Sequence, residues 1–129
     1  MACWRRKRLR AMHELSVCMA LLEQVADCVE SHRAIGASRI MLRIGPLAGV
    51  EPALLRAAYA ASRPGTCAAD AELVIVNAPV RIRCASCGME DEARPGHLAC
   101  KTCGSAATQL LSGDELLLEA VDLMMDRVT

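Results

Sequence analysis

The chain has 129 residues, with 15 Lys+Arg against 15 Asp+Glu, a formal charge of zero, and 53% hydrophobic side chains that include one Trp, one Tyr and no Phe. That hydrophobic fraction excludes a disordered chain and suits one small globular unit with an aliphatic core of Leu, Val, Ile, Ala and Met. The charge is unevenly placed: Arg5, Arg6, Lys7, Arg8 and Arg10 leave residues 11–129 with 10 basic against 15 acidic side chains, a body that should not seek nucleic acid.

The basic start resembles the n-region of a signal peptide. Met12 to Val29, however, contains Glu14, Glu23 and Asp27 and no small-residue cleavage site, so no export signal is expected. No apolar run reaches the roughly 18 residues needed to cross a bilayer. These readings predict a cytoplasmic protein, with no membrane partner, whose thiols stay reduced.

From Leu15 the apolar residues recur as Leu15, Cys18, Met19, Leu22, Val25, Ala26 and Val29, the spacing of an amphipathic helix. Helix should fade between His32, a helix-end residue, and Gly36. Ser38 to Ile44 then alternates Arg39 and Arg43 against Ile40, Leu42 and Ile44, a strand with one wet face. Gly45-Pro46 stops it, Pro52 opens an Ala-rich helix to Ala61, and Pro64-Gly65 closes that helix. A second strand, Ala71–Asn77, leads through Pro79 and Val80–Arg83 into a cysteine segment. After Ser112-Gly113-Asp114, the stretch Glu115–Met125 reads as helix or strand by pattern. The preceding turn, and the marginal stability of an isolated strand pair, favour a third strand.

Four of the eight cysteines form Cys84-Ala85-Ser86-Cys87-Gly88 and, with 12 residues from Gly88 to Ala99 between the pairs, Cys100-Lys101-Thr102-Cys103-Gly104. Two residues between cysteines let both sulfurs of a knuckle reach one ion, and two knuckles complete a tetrahedron, so Cys84, Cys87, Cys100 and Cys103 are expected to hold structural zinc. With four protein ligands no coordination position stays open for substrate. Residues 84–103 show little apolar periodicity and need such a staple to fold. An iron site or thiol exchange fits less well, since neither accounts for the α/β remainder. A zinc ribbon binding nucleic acid or protein, as an adaptor or regulator, is the rival reading; Glu90-Asp91-Glu92 and the lack of stacking aromatics oppose the nucleic-acid form of it. Cys18 is expected in the core, and Cys3 and Cys67 as lone thiols.

Met12-His13-Glu14-Leu15-Ser16, the first helix, Arg43-Ile44-Gly45-Pro46-Leu47, Pro64-Gly65-Thr66, the paired knuckles and Ser112-Gly113-Asp114-Glu115-Leu116 follow in this order. Together they resemble the HypA/HybF family of hydrogenase-maturation nickel metallochaperones, from Met12 to about Asp122. The resemblance implies an α+β (mixed α/β) fold: two helices on a three-stranded sheet, with a zinc-ribbon-like tetrathiolate insertion between the last two strands. Residues 12–83 with 108–129 would form the nickel-binding α/β domain, residues 84–107 the zinc insertion, and residues 1–11 an N-terminal extension.

The resemblance further implies a protein that is not an enzyme. It would carry Ni(II) as transient cargo at Met12, His13 and Glu14 and Zn(II) as a structural ion. The implied partners are a GTPase of hydrogenase maturation, the large subunit of nickel-iron hydrogenase and, in some organisms, urease maturation proteins. Monomer and dimer both stay open. An amine, deprotonated amides and an imidazole make the planar nitrogen set that Ni(II) favours. Glu14 would add an amide, a carboxylate or a hydrogen bond that orients His13. In the family this motif begins the chain; here 11 residues precede it, and an internal Met12 has no α-amine. Two readings follow: residues 1–11, which add neither pattern nor core, are a mis-called start with Met12 the true one, the reading favoured, or the extension is real and nickel takes a substitute nitrogen. His97, three residues before Cys100, is expected as a solvated loop residue, with an extra nickel or zinc contact as its alternative.

Overall fold

The computed structural model describes residues 2–3, 7–8 and 13–126. Helix α1 (Glu14–Ser31) begins at His13, an N-cap with extended backbone and no side-chain cap bond. It closes with a reciprocal pair of turn bonds: Arg33 N–H donates to Glu30 O and Ala34 N–H to Val29 O. Arg33 takes a left-handed φ of 53° between them, the conformation that lets a helix end satisfy its last carbonyls. His32 adds an Nδ1 contact of 2.9 Å to Cys28 O, as expected of a helix-end residue.

Strand β3 (Gly36–Ile44) is the middle of the main sheet. Helix α2 (Pro52–Ser62), with Pro52 in its first turn, crosses over to β4 (Glu72–Asn77), which pairs parallel with β3 from Arg39↔Glu72 to Ile44↔Asn77. Strand β8 (Leu116–Met124) pairs antiparallel with the other edge of β3, from Gly36↔Met124 to Ile44↔Leu116. The strand reading of Glu115–Met125 is thus the one adopted. Helix α1 packs on α2 and on β3 and β8. The core is aliphatic, with Leu21, Ile40, Leu42, Leu55, Leu116 and Leu118 all fully buried. Tyr59 is fixed within it by an O–H bond of 2.7 Å to Ala71 O.

Three expectations change. The buried stripe of α1 is Val17, Cys18, Leu21, Val25, Cys28 and Val29; Leu15 and Met19 stay about half or more exposed. The sequence offers two overlapping stripes, and packing against the sheet selects the one that brings Val17 and Leu21 inward. The extension, expected to add no pattern, supplies short strands β1 (Ala2–Cys3) and β2 (Lys7–Arg8), both antiparallel to β8. Backbone pairing needs an open strand edge, and β8 offers one whatever the side chains beside it. The main sheet therefore exceeds three strands.

The third change concerns the cysteine segment, which carries a sheet of its own. Strand β5 (Arg81–Cys84) lies between β6 (Glu90–Glu92) and β7 (Thr108–Ser112), both antiparallel to it. Every residue of β6 is exposed, so that strand carries no apolar alternation by which a sequence could announce it. The second sheet reaches from Arg81 to Ser112.

Candidate metal centres

The two knuckles sit at the ends and turns of the second sheet. Cys84 ends β5, Cys87 follows in a turn, and Cys100 and Cys103 occupy the turn before β7. In each knuckle the amide of the glycine after the second cysteine closes the turn: Gly88 N–H donates to Cys84 O and Gly104 N–H to Cys100 O, both at 2.9 Å. Gly88 and Gly104 take positive φ, 76° and 74°, as chains leaving such turns require. All four Sγ atoms lie within 4.8 Å of one another. Cys84 and Cys103 sulfurs are 3.5 Å apart, and Cys87 and Cys100 sulfurs 3.6 Å. A tetrahedron with zinc–sulfur bonds of about 2.3 Å has edges of about 3.8 Å. The donor set therefore fits one tetrahedral thiophilic dication.

Backbone amides prepare half of the cluster for that ion. The Cys87 N–H, with help from Ser86, holds the Cys84 thiol down to about 6. The Cys103 and Thr102 amides lower Cys100 in the same way. The Ser105 amide favours a thiolate at Cys103, yet contact with the Cys84 sulfur and burial push Cys103 up to about 12. At Cys87 the Met89 amide is likewise outweighed by burial and by the Cys100 and Cys84 sulfurs, and its thiol is raised. Two thiolates without a counter-ion oppose a third, whereas a bound dication removes that obstacle.

At the start of α1, His13 is exposed and its Nε2 lies 2.9 Å from Ser16 Oγ. The neighbouring Glu14 reaches α2: its Oε1 accepts the Glu51 N–H at 3.1 Å. Glu51 is the N-cap of α2, so this contact fastens the beginning of one helix to the beginning of the other. The Glu51 amide, followed by Glu14's own amide, holds the Glu14 carboxyl below its ordinary value. Met12 lies outside the described residues. The sequence assigned no role to Glu51, nor to Ser16 beyond its place in the Met12–Ser16 motif; Ser16 could have had one, being three residues past a helix N-cap.

His97 is exposed, and its N–H donates to Arg94 O at 2.9 Å to close a turn. It lines a shallow surface cavity with Arg94 and Lys101. Among the described residues the cluster able to hold a metal ion consists of the four cysteines, and His97 is not part of it. Cys18 is fully buried, and burial pushes its thiol up against the opposing Ser62 hydroxyl.

Residues 12–123 match the model of a family described as hydrogenase/urease nickel incorporation, metallochaperone, HypA. The chain is 42% identical over 113 residues to a hydrogenase maturation factor HypA of Nitrosospira multiformis, covering 88% of this chain and 98% of that one. It is 36% identical over 115 residues to the factor of the same name from Aquifex aeolicus, covering 89% of this chain and 100% of that one. Its fold is similar to the solution structure of the Ni metallochaperone HypA from Helicobacter pylori, with a TM-score of 0.64 at 24% identity, over 89% of this chain and 100% of that one.

Proposed function

The chain belongs to the HypA family, and on that premise we propose that it is a nickel metallochaperone of hydrogenase maturation. It carries Ni(II) at Met12, His13 and Glu14, and holds structural Zn(II) with Cys84, Cys87, Cys100 and Cys103. A maturation GTPase is the partner in loading, and the hydrogenase large subunit receives the ion. The protein acts by binding and release, not by turning over a substrate, and it works in the cytoplasm. Residues 12–83 with 108–129 are the nickel-binding unit and 84–107 the structural zinc insertion.

The observation that carries this reading is the separation of two unlike donor sets. The thiolates form a closed set of four on the second sheet. His13 stands exposed at the N-terminus of α1, on another element. A closed soft site suits an ion that stays, and a shallow nitrogen site suits an ion that is handed on. Exposed Glu90, Asp91 and Glu92 along β6 would repel a phosphate backbone, which favours protein partners over nucleic acid.

The test is a nickel titration followed by absorbance and calorimetry on zinc-loaded protein begun at Met1 and at Met12. A planar-site spectrum with one nickel bound is expected. It should be lost in His13→Ala while zinc content and fold persist. Full nickel affinity in His13→Ala, or loss of its zinc, overturns the assignment.

A further inference from the structure

We propose that Ser16 is the positioning residue of the nickel site: its hydroxyl holds His13 Nε2 and so presents Nδ1 as the metal donor. The proposal rests on the reading of His13 as a nickel ligand. Two observations carry it. Ser16 Oγ lies 2.9 Å from His13 Nε2, and the neighbouring carboxylate is engaged elsewhere, because Glu14 Oε1 accepts the Glu51 N–H.

The chemistry of the chelate gives the contact its meaning. A histidine can close a compact ring onto one ion through its own amide nitrogen and Nδ1. Nε2, on the far side of the imidazole, cannot close onto the same amide. A neutral ring donating through Nδ1 carries its proton on Nε2, and that N–H needs an acceptor that orients the ring and raises its basicity. Ser16 Oγ, 2.9 Å from Nε2, stands where that acceptor is needed. The helix makes no claim on the His13 amide, since His13 is an N-cap whose carbonyl, not its N–H, enters the helix by accepting from Val17.

Ser16→Ala tests the role cleanly, because alanine is the better helix former and should not loosen the first turn. In the zinc-loaded full chain, titrated with nickel alone, Ser16→Ala should weaken binding about ten-fold, the low end of the range for residues that orient a metal ligand. Ser16→Thr should restore it. In the zinc-loaded, nickel-free full chain the His13 Nε2 nitrogen resonance should move toward that of an unstructured histidine in Ser16→Ala and stay in place in Ser16→Thr. If His13→Ala abolishes nickel binding while Ser16→Ala leaves both affinity and resonance unchanged, Ser16 has no positioning role and the nickel site stands. If His13→Ala binds nickel as the parent does, the site reading and the Ser16 proposal fall together.

Discussion

Gly45 and Gly113 meet backbone to backbone, so that a Cβ placed on Gly45 would fall 2.1 Å from the Gly113 carbonyl oxygen. Around this contact Gly45 N–H donates to Glu115 O at 2.8 Å and Leu47 N–H to Gly113 O at 2.7 Å. The turn that ends β3 is thereby locked to the turn that delivers the chain from the second sheet into β8. Gly113 itself has a φ of 118°, which L side chains rarely adopt. Gly45→Ala should therefore push backbone against backbone and cost about 3 kcal/mol, the upper range for overpacking. Urea unfolding of the zinc-loaded protein measures it, and a change under about 0.5 kcal/mol would sink the claim.

The Glu14 contact to α2 predicts a pH dependence with a definite sign. The Glu51 amide stabilises the ionised carboxyl, so the folded pKa lies below the ordinary 4.5. The contact is then fully present above that value and is lost as pH falls through the lowered folded value. The Glu51 amide resonance should titrate with a midpoint below 4.5, and the step should vanish in Glu14→Gln. A midpoint at or above 4.5 would show that the carboxylate is not the acceptor.

What could be read from residues alone follows the range of each interaction. The cysteine pairs were legible because two intervening residues dictate knuckle geometry locally, and the four sulfurs do converge. Glu115–Met125 was ambiguous by period, and its place as a strand depends on β3 lying alongside. The exposed β6 had no pattern to read. In α1, Leu15 and Met19 competed with Val17 and Leu21 for the inner face, a choice made by the sheet and α2, not by the helix. The Gly45–Gly113 and Glu14–Glu51 contacts each join distant segments, so spacing along the chain holds no trace of them.

Thiol reactivity separates the cysteine populations. Cys18 and Cys28 are fully buried, and burial pushes the Cys18 thiol up; burial raises Cys67 as well. A thiolate, not a thiol, is the nucleophile. At neutral pH, iodoacetamide should leave Cys18 and Cys28 unmodified in the folded protein with or without a chelator. Cys84, Cys87, Cys100 and Cys103 should resist it when zinc is bound and become alkylated once a chelator removes the ion. Mass spectrometry of the peptides decides this, and rapid alkylation of the four in zinc-loaded protein would contradict the tetrathiolate site. Cys84→Ser should also lower zinc content while α1 and the main sheet persist.

The extension makes the last prediction, because shortening the chain should change two properties at once. Ala2↔Asp122 and Cys3↔Val121 pair on β8, as do Lys7↔Leu118 and Arg8↔Leu117, so the strand edge opposite β3 is covered. The covering segment is rich in Arg and Lys, the side chains that discourage a further strand from adding. A chain begun at Met12 gains an α-amine beside His13 but uncovers β8, whose Leu116, Leu118, Val121 and Leu123 belong to the core. Deuterium uptake across residues 116–124 should rise, since the amides that faced the extension lose their acceptors while those bonded to β3 keep theirs. Global stability should fall by about 1–2 kcal/mol, the scale of a few exposed backbone hydrogen bonds. Nickel affinity should rise in the same protein. Unchanged uptake across 116–124 would mean that residues 2–3 and 7–8 do not pair with β8 in solution, whatever the nickel result.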